Sequence, residues 1–179
     1  SNKRAVFVEY AIGARLENLT IRNGAVPNGY GGGVFVQDSI VSFESCRLIQ
    51  NQATGAGGGL FAQYSRGFAR NLWVDRNTAN SSGDGWALGG GIYLNYGAWT
   101  LWNVGVTRNR APALSALGGG IYGVGGVHDL WNVLIAHNQI SGSFTLQGSG
   151  VYLIGNGGFR MENCTIAANT NGGGMYRAG

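Results

Sequence analysis

Apolar and polar residues alternate in short runs along most of the chain, with the period of two of a β-strand rather than a helical period. In the stretch from Gly89, Ile92 and Leu94 fall on one face while Tyr93 and Asn95 fall on the other. A turn at Tyr96-Gly97-Ala98 follows, then a run from Trp99 to Trp102, a corner at Asn103, and Val104 and Val106 pointing inward. The pattern predicts three short strands, each with one face to bury. No amphipathic helix is predicted at either terminus.

The same pattern recurs. A glycine block followed by an aliphatic and an aromatic residue begins at Gly31, Gly57, Gly89, Gly118 and Gly172, with Gly148-Ser149-Gly150-Val151-Tyr152 as a variant. Between the blocks lies an Asn-to-Asn motif: NLTIRN from Asn18, NLWVDRN from Asn71, NVGVTRN from Asn103, NVLIAHN from Asn132 and NCTIAAN from Asn163. SCRLIQN from Ser45 carries Ser at the first position. From the first residue of a block to the closing Asn the steps are 20, 20, 20, 20 and 21 residues, whereas the connections to the next block vary from 3 to 12. Constant segments joined by variable ones are the signature of stacked coils with one free loop.

Three strands per coil cannot enclose a core alone, but stacked in parallel about 4.8 Å apart they bury a continuous one. The expectation is an all-β, right-handed, single-stranded parallel β-helix forming one domain over residues 1–179, with about six coils of three short strands each. The chain resembles the right-handed parallel β-helix repeat family, especially surface proteins with alternating GGG-aliphatic and φxxN motifs such as the polymorphic outer membrane proteins. The resemblance runs from about Val6 to Tyr176, and VFVEYAIGARLENLTIRNG looks like a leading coil. It implies a fold rather than an activity, because this fold hosts lyases, hydrolases and adhesins.

Alignment of the coils turns residues into columns. Val34, Leu60, Ile92, Ile121, Val151 and Met175 form one inward column; Cys46, Leu72, Val104, Val133 and Cys164 form another. The cysteines are then four coils apart, beyond disulfide reach. Asn18, Asn71, Asn103, Asn132 and Asn163 predict one corner ladder; Asn23, Asn51, Asn77, Asn109, Asn138 and Asn169 predict a second. Asparagine tolerates a left-handed turn and can bond to the coils above and below, so both ladders read as structural.

The outward column Phe35, Phe61, Tyr93, Tyr122, Tyr152 and Tyr176 predicts an aromatic ladder, with Gln37, Gln63 and Asn95 beside it and a flat glycine track on its other side. Two readings of this strip stay open. It is a binding surface for sugar rings or a protein partner, or the connecting loops fold over it. Trp102 and Trp131 share an outward position on the second sheet, Trp73 faces outward on the third, and Trp86 and Asp84 lie in the longest loop. These tryptophans and Asp84 form a secondary set of candidate contacts.

Composition narrows the function. Glycine supplies 34 of 179 residues and proline 2, with 44% hydrophobic and 11% charged residues. Collagen would need a strict third-residue period, and disorder would need more charge. Eleven Arg and one Lys against four Asp and four Glu give a net charge of +4, scattered rather than clustered, so no nucleic-acid site is expected. No apolar run is long enough for a transmembrane helix. Chain start and end suggest an excised or processed piece with uncapped coils, able to associate end to end.

No lyase or polygalacturonase constellation stands in the sequence, and Asp38, Asp75, Asp84 and Asp129 fall in different coils. His128-Asp129 reads as a solvated turn, and His137 as a surface residue. Gly83-Asp84-Gly85 resembles a fragment of a calcium repeat that does not recur, so no metal or cofactor is expected. The functional expectation is a non-enzymatic, secreted or cell-surface module that presents its aromatic-glycine face to a polysaccharide or protein. The alternatives are a filament subunit stacking through its ends, and a polysaccharide lyase- or hydrolase-like enzyme or its remnant.

Overall fold

The computed structural model describes residues 3–81 and 85–178. Among these residues there is no helix, and every strand pairing is parallel. The chain is a parallel β-solenoid. Its first face stacks Val6–Glu9, Val34–Gln37, the start of Leu60–Arg70, the start of Ile92–Thr107, Ile121–Val124, Val151–Ile154 and Met175–Ala178. The second and third faces follow the same order, with Ile40–Glu44 and Arg47–Ile49 as their early members.

Register follows the glycine blocks. Val34, Leu60, Ile92, Ile121 and Val151 are successive partners in the first face, and all are buried. Met175, expected in the same inward column, pairs with Val151 but is 46% exposed. No described strand packs beyond its own, so its side chain is covered from one side only. Cys46, Leu72, Val104 and Val133 are buried, Cys164 is half-buried, and the two thiols are free.

Three strands per coil is an undercount. The segments after the closing Asn, expected as loops, contribute a fourth sheet of Ala25–Val26, Gln52–Thr54, Thr78–Asn80, Arg110–Pro112 and Gln139–Ser141. A fifth, of Trp86–Leu88, Ser115–Leu117 and Leu146–Gln147, runs into the next glycine block. Ala53, Ala79, Ala111 and Ile140 point inward from the fourth sheet and are all buried.

The glycine blocks are where the section closes. Gly89 takes a left-handed φ of 59°, which costs glycine little. A Cβ on Gly90 would lie 2.4 Å from the Arg110 carbonyl oxygen, and one on Gly91 would lie 2.8 Å from Asn109 Nδ2. The backbone of one coil thus crosses so closely over its own later strand that no side chain fits. This corrects the expectation of an outward glycine track: the blocks from Gly31, Gly57, Gly89, Gly118 and Gly148 are buried.

Candidate functional site

The aromatic column forms the ladder its spacing predicts, extended by Phe7 at the first coil. From Phe7 through Phe35, Phe61, Tyr93, Tyr122 and Tyr152 to Tyr176, ring centroids are 4.9 to 5.2 Å apart and ring planes differ by no more than 13°. Identical register in each coil imposes this geometry. Phe35, Phe61, Tyr122 and Tyr152 are nevertheless buried, because Ala56, Leu88, Leu117, Val124 and Ile154 pack against them. Leu88 and Leu117 of the fifth sheet, with Ala56 beside them, roof the strip together with Val124 and Ile154 of the first face itself. Of the two readings, loop coverage holds for these four rings.

Tyr93 is half-buried and lies where the roof opens. A cleft of about 220 Å³ is walled by Tyr30, Phe61, Trp86 and Tyr93, with Gln63 and Asn95 as polar members. Tyr30 stacks on Phe61 at 4.9 Å. Burial, reinforced by the neighbouring tyrosines, pushes the Tyr93 phenol up to about 12, and burial likewise raises Tyr122. Both phenols stay protonated through the physiological range and can donate a hydrogen bond.

Beside this cleft is a feature that the column alignment missed. Tyr64 and Tyr96 occupy the corner after the first face, at left-handed φ values of 49° and 58°. Both are exposed, and their rings stack at 5.7 Å. Tyr96 also leans over Gly125 and borders a cleft of about 550 Å³ with Tyr122, Val124, Gly126, Ile154 and Asn156. The sequence signal was an aromatic directly after the polar residue of each coil, Gln63-Tyr64 and Asn95-Tyr96.

Trp102 and Trp131 are stacked at 6.0 Å on the second face, with Arg160 over Trp131 at 4.5 Å. Glu17, Glu44, Arg70 and Glu162 complete their column. Trp73 is half-buried against Gly105, and Trp86 is exposed. Asp84 lies outside the described residues.

The two asparagine ladders differ in kind. Asn18, Asn71, Asn103, Asn132 and Asn163 take left-handed φ values at one exposed corner, with Ser45. Asn103 Nδ2 donates to Asn71 Oδ1, and Asn132 Nδ2 to Asn103 Oδ1. Asn51, Asn77, Asn109 and Asn138 are instead buried. Each Nδ2 donates both to a strand carbonyl of the preceding coil and to the next asparagine oxygen, up to Asn169. Asn23 does not belong to this ladder. NLTIRN is one residue shorter than its counterparts, so Asn23 aligns with Gln50 and is exposed, and Gly24 donates its N–H to Asn51 Oδ1 instead.

The His128-Asp129 pair is likewise not a solvated turn. It lies within the strand Val127–Ala136, where alternation sends adjacent side chains to opposite faces. His128 is fully buried in register with Trp99 and Phe159, and no side chain hydrogen-bonds its ring nitrogens. Burial lowers its pKa to about 4, so it is a neutral core residue at neutral pH. No cluster of three metal-ligating side chains occurs among the described residues, and no helix there is long and apolar enough to cross a membrane.

No family model, curated protein or solved structure matches this chain.

Proposed function

We propose that the protein is a right-handed parallel β-helix of about six coils that binds polysaccharide without cleaving it, as a secreted or cell-surface module like the repeat family it resembles. The observation that carries this reading is the opening beside Tyr93. Aromatic walls from Tyr30, Trp86 and Tyr93, the amides of Gln63 and Asn95, and the exposed Tyr64–Tyr96 stack meet on one side of the coil. Sugar rings present an apolar face to aromatic planes and hydroxyls to amides, so this mixture suits a neutral glycan. The buried rings of the ladder act as the rigid platform that holds the accessible ones in place.

The test is a titration against soluble neutral glycans such as xylan, mannan and β-glucan. Binding to at least one of them should weaken about tenfold in Tyr96→Ala and in Tyr93→Ala, as loss of a stacking anchor requires. Binding unchanged in both variants, or absent throughout the panel, overturns the reading.

A further inference from the structure

The corner between the third and fourth faces carries a groove of about 480 Å³ that the aromatic surface does not share. Its wall includes Arg76, Arg108, Arg110 and His137, with Thr78 and Gln139 between them. Register explains the cluster. Arg76, Arg108 and His137 hold the left-handed position just before the buried asparagines of three successive coils, and Thr78, Arg110 and Gln139 hold the first outward position after them. Charges distant in sequence are thereby gathered into two short columns.

The groove is also electrostatically one-sided. No carboxylate lines it. The nearest is Asp75, which is buried and accepts hydrogen bonds from Arg108 Nε at 2.8 Å and Thr107 Oγ1 at 2.7 Å, with Arg76 at 3.5 Å. Asp75 engages Arg108 through Nε, so it orients that guanidinium without occupying its terminal nitrogens. Every other described carboxylate lies elsewhere: Glu9 on the first face, Asp38 at its corner, and Glu17, Glu44, Asp129 and Glu162 on the second face. Three arginines thus face one partly shielded acid.

We propose that this groove binds an acidic polysaccharide lying along the solenoid axis, with its carboxylate or sulfate groups on Arg76, Arg108 and Arg110. Guanidinium groups match such oxyanions through paired hydrogen bonds. Coils about 4.8 Å apart repeat on a scale comparable to successive sugars in an extended pyranose chain. The Thr78 hydroxyl and Gln139 amide supply partners for sugar hydroxyls. A single-stranded nucleic acid is less well served, because the lining holds no Phe, Tyr or Trp on which bases could stack.

Affinity electrophoresis of the intact protein against polygalacturonate and dextran sulfate tests this. The two probes separate carboxylate from sulfate recognition, and retardation by either supports the site. The double variant Arg76→Gln/Arg110→Gln should weaken retardation about tenfold while Arg15→Gln, on the second face, leaves it unchanged. Circular dichroism melting confirms that the variants fold, and Arg110→Lys serves as a milder second variant expected to retain part of the affinity. Tyr96→Ala should bind the polyanions normally, which separates failure of this site from failure of the aromatic cleft. No retardation by either polyanion, equal weakening by Arg15→Gln, or tighter binding of single-stranded DNA than of both polyanions overturns the proposal.

Discussion

Trp99 and Gly67 are register partners in adjacent coils, and the indole of one fills the place of the side chain the other lacks. A Cβ on Gly67 would lie 2.1 Å from Trp99 Cζ3. The indole is buried and also meets Phe43, with centroids 6.2 Å apart. Gly67→Ala should therefore destabilise by about 2 kcal/mol through overpacking. Combining it with Trp99→Leu should recover at least about 1 kcal/mol relative to additivity. Urea denaturation of the two single variants and the double variant measures the coupling; strict additivity would show that the indole is free to move aside.

The two asparagine ladders should respond differently to mutation. Asn109 Oδ1 accepts from the Asn77 backbone N–H and Nδ2, while its own Nδ2 donates to the Val74 carbonyl and Asn138 Oδ1. Asn109→Ala strands several buried groups and should cost about 4 kcal/mol. Asn103 sits at an exposed corner with φ 54°, so Asn103→Gly keeps the turn and should change stability by less than about 1 kcal/mol. Equal losses in chemical denaturation would contradict the distinction.

Close backbone approach makes a comparable contrast between glycines. A methyl on Gly91 would meet the Asn109 amide and the Gly120 carbonyl oxygen, each 2.8 Å away, while one on Gly158 would meet nothing nearer than 3.7 Å. Gly91→Ala should cost more than about 3 kcal/mol or prevent folding. Gly158→Ala should be tolerated, and soluble yield with thermal melting distinguishes the two.

His128 makes stability depend on pH. Its folded pKa of about 4 lies below the usual value of 6.5, so between these values the unfolded chain binds the extra proton. Its contribution is complete above about pH 6.5, is lost as pH falls toward 4, and levels off below, amounting to about 3 kcal/mol. His128→Phe should flatten that part of the stability profile. An unchanged profile in that variant would assign the acid sensitivity elsewhere.

Much of the architecture was legible because β-register repeats residue types at fixed intervals. Leu60, Ile92 and Ile121 declared a core, and Asn77 and Asn109 declared a ladder. The fourth and fifth sheets were hidden because their connections vary in length and their strands are short, as in Gln52–Thr54 and Trp86–Leu88. That concealment explains why the aromatic strip read as open: the residues that roof it, such as Leu88 and Leu117, lie outside the constant repeat. Asn23 was misplaced because this coil carries glycine, Gly24, at the ladder position, and the asparagine just before it mimics the motif. Tyr64 and Tyr96 were overlooked because a corner position belongs to neither face of a strand, and the arginine groove because only stacking assembles it.

The buried amide chain also makes the coil a transferable cassette. Asn77 and Asn109 perform the same task for their neighbours, and Leu88 and Leu117 are register equivalents immediately before a glycine block. Joining Leu88 directly to Gly118 would excise one whole turn and bring Asn77 beside Asn138 with the amide ladder unbroken, although buried Asp75 would lose Thr107 and Arg108. Length in this protein is thus adjustable in whole turns, and the spacing of anything it carries on its surface is adjustable in the same increments.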